Sequence, residues 1–161
     1  MMKKFFVILL LSLLFFVVDV RALTEAPIDI TRMGITELSD ALDKGYITSE
    51  QLVNMYLERI EAYDDKFNSI NQLNKNAVND AKKLDQERKE GKVRSKLHGV
   101  PILVKCNIDA YGIPTTAGTK AMLDNYPKQN AFVVQKLIDA GAIVLGSTNM
   151  SELAFSAKDS Y

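Results

Sequence analysis

The chain has one cysteine and one histidine, and these low counts limit its chemistry. The single cysteine, Cys106, excludes an internal disulfide and a cysteine-based zinc site, and we expect no bound metal. The single histidine, His98, would have to serve in any Ser-His-Asp triad. It precedes an apolar stretch whose far end carries Lys105. We therefore predict that His98 is a loop or edge residue with local hydrogen bonds, not a catalytic base.

Neither sign of charge is in excess, because 20 basic and 20 acidic residues balance to a formal net charge of zero. A nucleic-acid-binding protein would carry a basic patch, and a solvating tail would be acidic. We expect no nucleic-acid partner. The 161 residues are enough for one domain of ordinary size.

Residues 1–22 have the pattern of a secretory signal peptide. Lys3 and Lys4 make a positive start, and a 14-residue run that is apolar apart from Ser12 follows them. We predict cleavage after Ala22, which makes the protein secreted or extracytoplasmic and its membrane contact transient. The alternative is an uncleaved membrane anchor, for which the run is short of the roughly 20 residues that a span needs.

The stretch from Val100 to Val104 predicts a buried strand that ends at Lys105. A lysine at that place has its ammonium near or inside a dry cleft. Burial of that kind lowers a lysine pKa, and a neutral lysine can act as a base. The alternative is that Lys105 ends the strand and reaches solvent.

Two helices are predicted in the N-terminal half. The first covers residues 36–44, with Thr36 as its cap and Gly45 as its stop. The second begins with a capping box, in which the Thr48 side chain bonds forward to the backbone of the first turn and the Gln51 side chain bonds back to the backbone of Thr48. Its predicted inward face carries Leu52, Val53, Tyr56, Leu57, Ile60 and Tyr63.

The remaining pattern alternates helices with short strands. We predict a strand over residues 67–73, a helix over 76–90, a helix over 131–140 capped by Asn130, and a strand over 142–145. A helix that feeds an apolar strand through one glycine is typical of a layered α/β fold. The inward residues predicted for helix 76–90 are Ala77, Ala81 and Leu84.

Four ordered blocks then carry a family resemblance. They read LHGVPILVKCNID at 97–109, GIPTTAGT at 112–119, NAFVVQKL at 130–137 and AGAIVLGSTNMSE at 140–152. In this order and spacing they resemble the amidase signature family of serine hydrolases. The resemblance implies an α/β fold with a mixed sheet flanked by helices. Residues 23–161 would be the N-terminal portion of such a domain, which is truncated here.

The resemblance implies a triad of serine, serine and lysine that works without metal or cofactor. The nucleophilic serine loses its proton through a second serine, which a cis peptide bond holds, and the lysine takes that proton. Lys105 matches the lysine. The two serines and the oxyanion glycines would lie in a Gly/Ser-rich segment further on, and only 56 residues follow Lys105. We therefore expect the 161-residue chain alone to be inactive.

Other residues receive roles only through the resemblance. It places Asn107 and Asp109 around the lysine loop, and Thr115, Thr116 and Gly118 in the turn after it. It makes Ala154, Phe155 and Ser156 candidates for substrate contact. Gly118 could equally serve only a turn, and Asn149 could only cap or bridge backbone. Cys106 departs from the family, which usually has an acidic residue there, and we predict a free, unreactive thiol.

Three functions follow as hypotheses. The first is an exported amidase that converts a small-molecule or peptide carboxamide to a carboxylate and ammonia or an amine. The second is the amidase subunit of a tRNA-dependent amidotransferase, against which the signal peptide argues because that work is cytoplasmic. The third is a truncated, non-catalytic exported protein or binding module. Residues 23–161 alone would then expose an apolar sheet edge and be poorly soluble or molten.

Overall fold

The computed structural model describes residues 28–155, which hold four α-helices and three β-strands. Two single 3₁₀ turns, at Lys120–Met122 and Glu152–Ala154, complete the described elements. In chain order the elements are α1 (Ile35–Asp43), α2 (Ser49–Phe67), β1 (Ile70–Leu73), α3 (Ala77–Lys89), β2 (Pro101–Lys105), α4 (Phe132–Asp139) and β3 (Ile143–Thr148).

The three strands form one mixed sheet in the order β1-β3-β2. β3 lies in the middle, antiparallel to β1 and parallel to β2. In the parallel pair Val104 lies opposite Ser147, and Lys105 lies opposite Thr148. The predicted α/β fold with a mixed sheet is confirmed.

Helices cover both faces of the sheet. Ile143 and Leu145 pack with α2 and α3, whereas Val144 packs with Val104 and with Val134 of α4. Alternate residues of a strand point to opposite faces, so α2 and α3 lie on one side and α4 on the other. A third cluster joins α1 to the start of α2 and to Val100 just before β2.

The predicted capping box of α2 is confirmed. The Gln51 N–H donates to Thr48 Oγ1 at 3.1 Å, and the Thr48 N–H donates to Gln51 Oε1 at 2.9 Å. The predicted cap of α1 is wrong, because Gly34 is the N-cap and Thr36 lies inside the helix. The backbone is extended at Gly34, and its carbonyl already accepts the first helical hydrogen bond, from Leu38.

The end of α2 also differs from the prediction. Phe67 is its last residue and is 73% exposed, so it does not begin a strand. Asn68 ends the helix in the left-handed region at φ +49°, which asparagine tolerates, and β1 begins only at Ile70. Tyr63 is 49% exposed, contrary to the predicted inward face, because the last turns of this 19-residue helix extend past the core.

The later elements lie close to their predicted positions. α3 begins after Asn76, and the predicted inward residues Ala77, Ala81 and Leu84 are buried. The predicted cap of α4 is wrong, because Ala131 is its N-cap. The Asn130 side chain instead accepts the Tyr111 N–H at 2.7 Å and donates to Gln135 at 2.8 Å.

The helices between residues 28 and 155 do not include a membrane span, because none of them combines the length and the apolar character that crossing a bilayer requires. The predicted signal peptide at residues 1–22 lies outside the described residues, so it stays a prediction.

Candidate active site around Lys105

Lys105 is the last residue of β2, and the chain turns away immediately after it. The Cys106 N–H still donates to the Thr148 carbonyl at 3.1 Å, and the Ile108 N–H then donates back to the Lys105 carbonyl at 2.9 Å. These two bonds fix the peptide group that directly follows the lysine. Its side chain therefore starts from a defined point at the carboxyl end of two parallel strands.

The expected dry cleft around the lysine is wrong for the residues that the structure describes. Lys105 is exposed, as is Leu103 at 40%, whereas Val104 and Cys106 between and beyond them are buried. This alternation places Leu103 and Lys105 on the face of β2 opposite to α4, which the helices of residues 28–155 leave open at these two positions. The lysine therefore reaches solvent in this chain, as in the alternative interpretation of the sequence.

A tight turn at residues 115–119 packs against the backbone just after the lysine. The Ala117 N–H donates to the Cys106 carbonyl at 2.9 Å, and the Thr119 N–H closes the turn on the Thr116 carbonyl at 3.0 Å. Behind the turn, Thr116 Oγ1 donates to Asn71 Oδ1 at 3.3 Å. The placement of Thr115, Thr116 and Gly118 beside the lysine loop agrees with the resemblance.

A second turn, at residues 149–154, lies against the first. The Leu153 N–H donates to the Ala117 carbonyl at 2.8 Å. Asn149 bridges backbone, with its N–H on the Ser69 carbonyl at 2.7 Å and its Nδ2 on the Asn68 carbonyl at 3.2 Å. The structure thus brings Lys105 and the segment that leads to Ala154 to the same end of the sheet.

The predicted substrate-contact residues are only partly described. Ala154 and Phe155 are exposed, and Phe155 reaches 95% exposure, so both are free to meet a ligand or another part of the protein. Ser156 lies outside the described residues. The roles of these three residues stay predictions.

Backbone strain is concentrated at this end of the sheet. Ala117, Leu153 and Ala154 have positive φ angles of 50°, 50° and 59°, in the region that favours glycine. Each such residue costs on the order of 1–3 kcal/mol and persists only where its surroundings enforce it, which is common at active sites. The pattern of residue types gave no sign of this strain.

The other lysine-loop residues are held by their main chain. Asp109 and Asn107 are exposed, and the Asp109 carbonyl accepts the Ala131 N–H at 2.8 Å, which ties the loop to the start of α4. Cys106 is a free thiol, 1% exposed. Its burial agrees with the predicted unreactive role, since a reactive thiol needs access to its partner.

His98 lies in the turn before β2, at the opposite end of this strand from Lys105, so the predicted loop position is confirmed. The residue is nevertheless buried, at 1% exposed. Its Nδ1 accepts the Arg94 N–H at 3.3 Å, and its Nε2 lies 2.9 Å from the Leu84 carbonyl. Because a carbonyl only accepts, the bond to Leu84 assigns a proton to Nε2. His98 is a structural residue, as expected, but its partner on α3 is distant in sequence.

A cavity of about 300 Å³ lies between α3, α4 and the start of β3, away from Lys105. Several of its polar side chains are already paired within the protein. Arg94 donates to Glu87 and to the Ile138 carbonyl, and Asn74 donates to the Val144 carbonyl. No cluster of metal-ligating side chains occurs among residues 28–155. The exposed lysine beside the strained turn at residues 115–119 is thus the best candidate site in the described part of the chain.

The mixed sheet with helices on both faces makes this chain a layered α/β protein, with Lys105 at the end of a parallel strand pair. Comparison with known sequences then gives the family: the amidase family model matches residues 51–161, more than half of the chain. The chain belongs to the amidase family.

Individual relatives agree with this assignment. Mandelamide hydrolase from Pseudomonas putida is 39% identical over 85% of this chain and 27% of its own length. A glutamyl-tRNA(Gln) amidotransferase subunit from Fusobacterium nucleatum is 40% identical over 75% of this chain and 25% of its own length. Peptide amidase from Stenotrophomonas maltophilia has a solved structure that matches with a TM-score of 0.73 and 38% identity, over 75% of this chain and 25% of that one. The chain spans about a quarter of the length of the relatives it matches.

Proposed function

We propose that the complete protein is an amidase that hydrolyses a carboxamide to a carboxylate and ammonia or an amine, with Lys105 as its general base. The observation that carries the proposal is the position of Lys105, exposed at the end of β2 beside the strained turn at residues 115–119, in a chain of the amidase family. Since this chain spans about a quarter of its relatives, the residues that complete the site are proposed to lie in the rest of the protein.

In the proposed mechanism a serine supplies the nucleophile. Its proton passes through a second serine, held by a cis peptide bond, to the neutral amine of Lys105, while the serine oxygen bonds to the amide carbon. The lysine then returns the proton to the leaving nitrogen as the C–N bond breaks. Water releases the acyl group by the same route. The open face around Lys105 and Leu103 is where the serine-bearing part would pack and exclude water.

The proposed substrates are small-molecule or peptide amides. Support comes from two relatives that differ in what their names say they act on, mandelamide hydrolase and peptide amidase. Phe155, Ala154 and Ser156 are proposed to contact the substrate. The exposed apolar ring of Phe155 favours an amide with an apolar group next to the carbonyl.

The protein is also proposed to be exported after cleavage between Ala22 and Leu23. The charged start and apolar run at residues 1–18 support this. N-terminal sequencing of the mature protein tests it, since a mature chain that begins at Leu23 is the expected result. A cytosolic protein that retains Met1 would contradict it.

The amidase proposal is tested by replacing Lys105 in the complete protein. Lys105→Arg keeps the positive charge but cannot lose a proton near neutral pH, and Lys105→Ala removes both. Both variants are expected to lower kcat by a factor of about 10²–10⁴, the usual contribution of a general base. Lys128→Ala, at an exposed position in the 119–130 loop, is the control. Parental activity in Lys105→Arg would sink the base role.

The second candidate is the amidase subunit of a tRNA-dependent amidotransferase. It is favoured by the 40% identity to the amidotransferase subunit from Fusobacterium nucleatum. Cell fractionation separates the two candidates, because the exported amidase is expected outside the cytoplasm and the amidotransferase subunit inside it. Copurification with further subunits from the cytosol would support the second candidate.

A further inference from the structure

Ala117 connects the lysine strand to the turn at residues 149–154. Its N–H bonds to the carbonyl of Cys106, directly after Lys105, and its carbonyl accepts the N–H of Leu153, at 2.9 and 2.8 Å. One peptide unit on each side of Ala117 therefore spans the gap between the lysine and the segment that carries Ala154 and Phe155. Any displacement of this residue changes that gap.

Gly118 holds the second contact between the two turns. A Cβ atom at Gly118 would lie 2.6 Å from the Met150 carbonyl oxygen and 2.9 Å from that of Ser151. Both atoms belong to the backbone and cannot rotate out of the way. The φ of +71° at Gly118 also favours glycine. The two turns can approach this closely only because the residue has no side chain.

The turn at 115–119 is supported from behind, so it resists compression. Thr116 Oγ1 donates to Asn71 Oδ1 and accepts the Gly118 N–H at 3.4 Å. The Thr115 N–H donates to the Asn125 carbonyl, and Asn125 Nδ2 donates to the Thr115 carbonyl, both at 2.9 Å. A push at Gly118 is therefore transmitted to Met150 and Ser151 rather than absorbed by the turn.

We propose that residues 115–119 act as a strut that sets the separation between Lys105 and the segment 152–155. Gly118 is the positioning residue that fixes the length of this strut, and the separation determines whether the enzyme prefers small or bulky amides. The proposal rests on the proposed amidase function. A side chain at Gly118 lengthens the strut, moves the segment 152–155 away from the lysine and makes room for a larger acyl group.

The test compares Gly118→Ala with Gly112→Ala in the complete protein. Gly112 has a φ of +85° but nothing within 4 Å of its Cβ position, so it controls for the strain of an alanine at positive φ without the contact. The readout is the ratio of kcat/KM for phenylacetamide to kcat/KM for propionamide. Loss of folded enzyme lowers both values equally, so a merely structural role does not move the ratio.

Gly118→Ala is expected to raise this ratio by about tenfold or more, the size of effect that one methylene-sized change in a pocket can have. Gly112→Ala is expected to leave it within about twofold of the parent. An unchanged or lowered ratio in Gly118→Ala overturns the strut. If Gly118→Ala does not fold, Thr116→Val takes its place, because it keeps the volume but removes the hydroxyl that braces the turn. The turn then yields and the separation shortens, so a fall of the ratio by about threefold is expected, and an unchanged or raised ratio overturns the proposal.

Hydrogen exchange separates the strut from the proposed function. The Leu153 amide is expected to exchange faster in Gly118→Ala than in the parent or in Gly112→Ala, because its bond to Ala117 is stretched. Unchanged Leu153 protection overturns the strut even in an active enzyme. A parent protein that hydrolyses no amide refutes the proposed function and the selectivity that rests on it, while the exchange result still decides whether the strut exists.

Discussion

The Nε2–H of His98 donates to the carbonyl of Leu84 at 2.9 Å and so joins the segment that leads into β2 to the middle of α3. The same ring accepts the Arg94 N–H through Nδ1. The ring is buried, and each of its nitrogens bonds to one backbone group. The one histidine of the chain is thus used for packing, 14 residues away from its α3 partner.

Replacing His98 by alanine is expected to destabilise the protein by about 2–4 kcal/mol. The change removes two hydrogen bonds and opens a cavity in the core. The free energy of unfolding of the complete protein, from urea denaturation, measures the loss. His98→Gln, which can both donate and accept, is expected to recover part of it. A loss below about 0.5 kcal/mol in His98→Ala would refute the structural role.

Asp85 of α3 caps α2 from outside. Its two carboxylate oxygens accept the N–H groups of Ser49 and Glu50 at 2.7 and 3.0 Å. The negative charge also faces the positive end of the helix dipole. Asp85→Ala is expected to cost about 1–2 kcal/mol of unfolding free energy, similar to the loss of an N-cap. Asp85→Asn, which keeps an acceptor but not the charge, should cost less, and equal losses would argue against the dipole contribution.

Local patterns in the sequence predicted the elements whose causes are local. The capping box of Thr48 and Gln51 spans four residues, and the inward face of α3 follows from the helical period. Asp85 is 36 residues from Ser49, so its capping role depends on how α2 and α3 pack. The same holds for Asn130, whose side chain bonds to Tyr111 across the loop instead of capping α4.

At the candidate site, the pattern predicted the position of the lysine but not its environment. An apolar run that ends in Lys105 was enough to place it at the end of a strand. Its exposure depends on what covers the open face beside Leu103, which no pattern within residues 28–155 could reveal. The contact between Gly118 and Met150 was equally hidden, because it joins two turns that are distant in sequence.

The ion pair of Glu87 and Arg94 is expected to make stability depend on pH. The hydrogen bond from Arg94 lowers the pKa of Glu87, and the same bond raises the pKa of Arg94. A carboxyl group whose pKa is lower in the folded than in the unfolded state stabilises the protein at pH values above its unfolded-state pKa of about 4.3. This stabilisation is lost as the pH falls through the folded-state pKa. The stability that the parent protein gains over Glu87→Gln should therefore be largest near neutral pH and shrink below about pH 4.

Urea denaturation of the two proteins between about pH 3 and 7 measures this difference. Glu58→Gln, at an exposed position on α2, controls for the loss of one negative charge. If the difference in unfolding free energy between the parent and Glu87→Gln stays constant over this range, Glu87 acts through packing and not through its charge.

The edge of the sheet at β2 is expected to limit the solubility of residues 23–161. In the described residues β2 pairs with β3 on one side only, and Leu103 is 40% exposed within an apolar run. Such edges invite pairing between molecules, and an edge lysine opposes it. Leu103→Lys should therefore raise the monomer fraction measured by size-exclusion chromatography with light scattering. Val133→Lys, which removes an exposed apolar side chain from α4 instead, should not. Equal gains from both variants would mean that general surface hydrophobicity, not the strand edge, drives association.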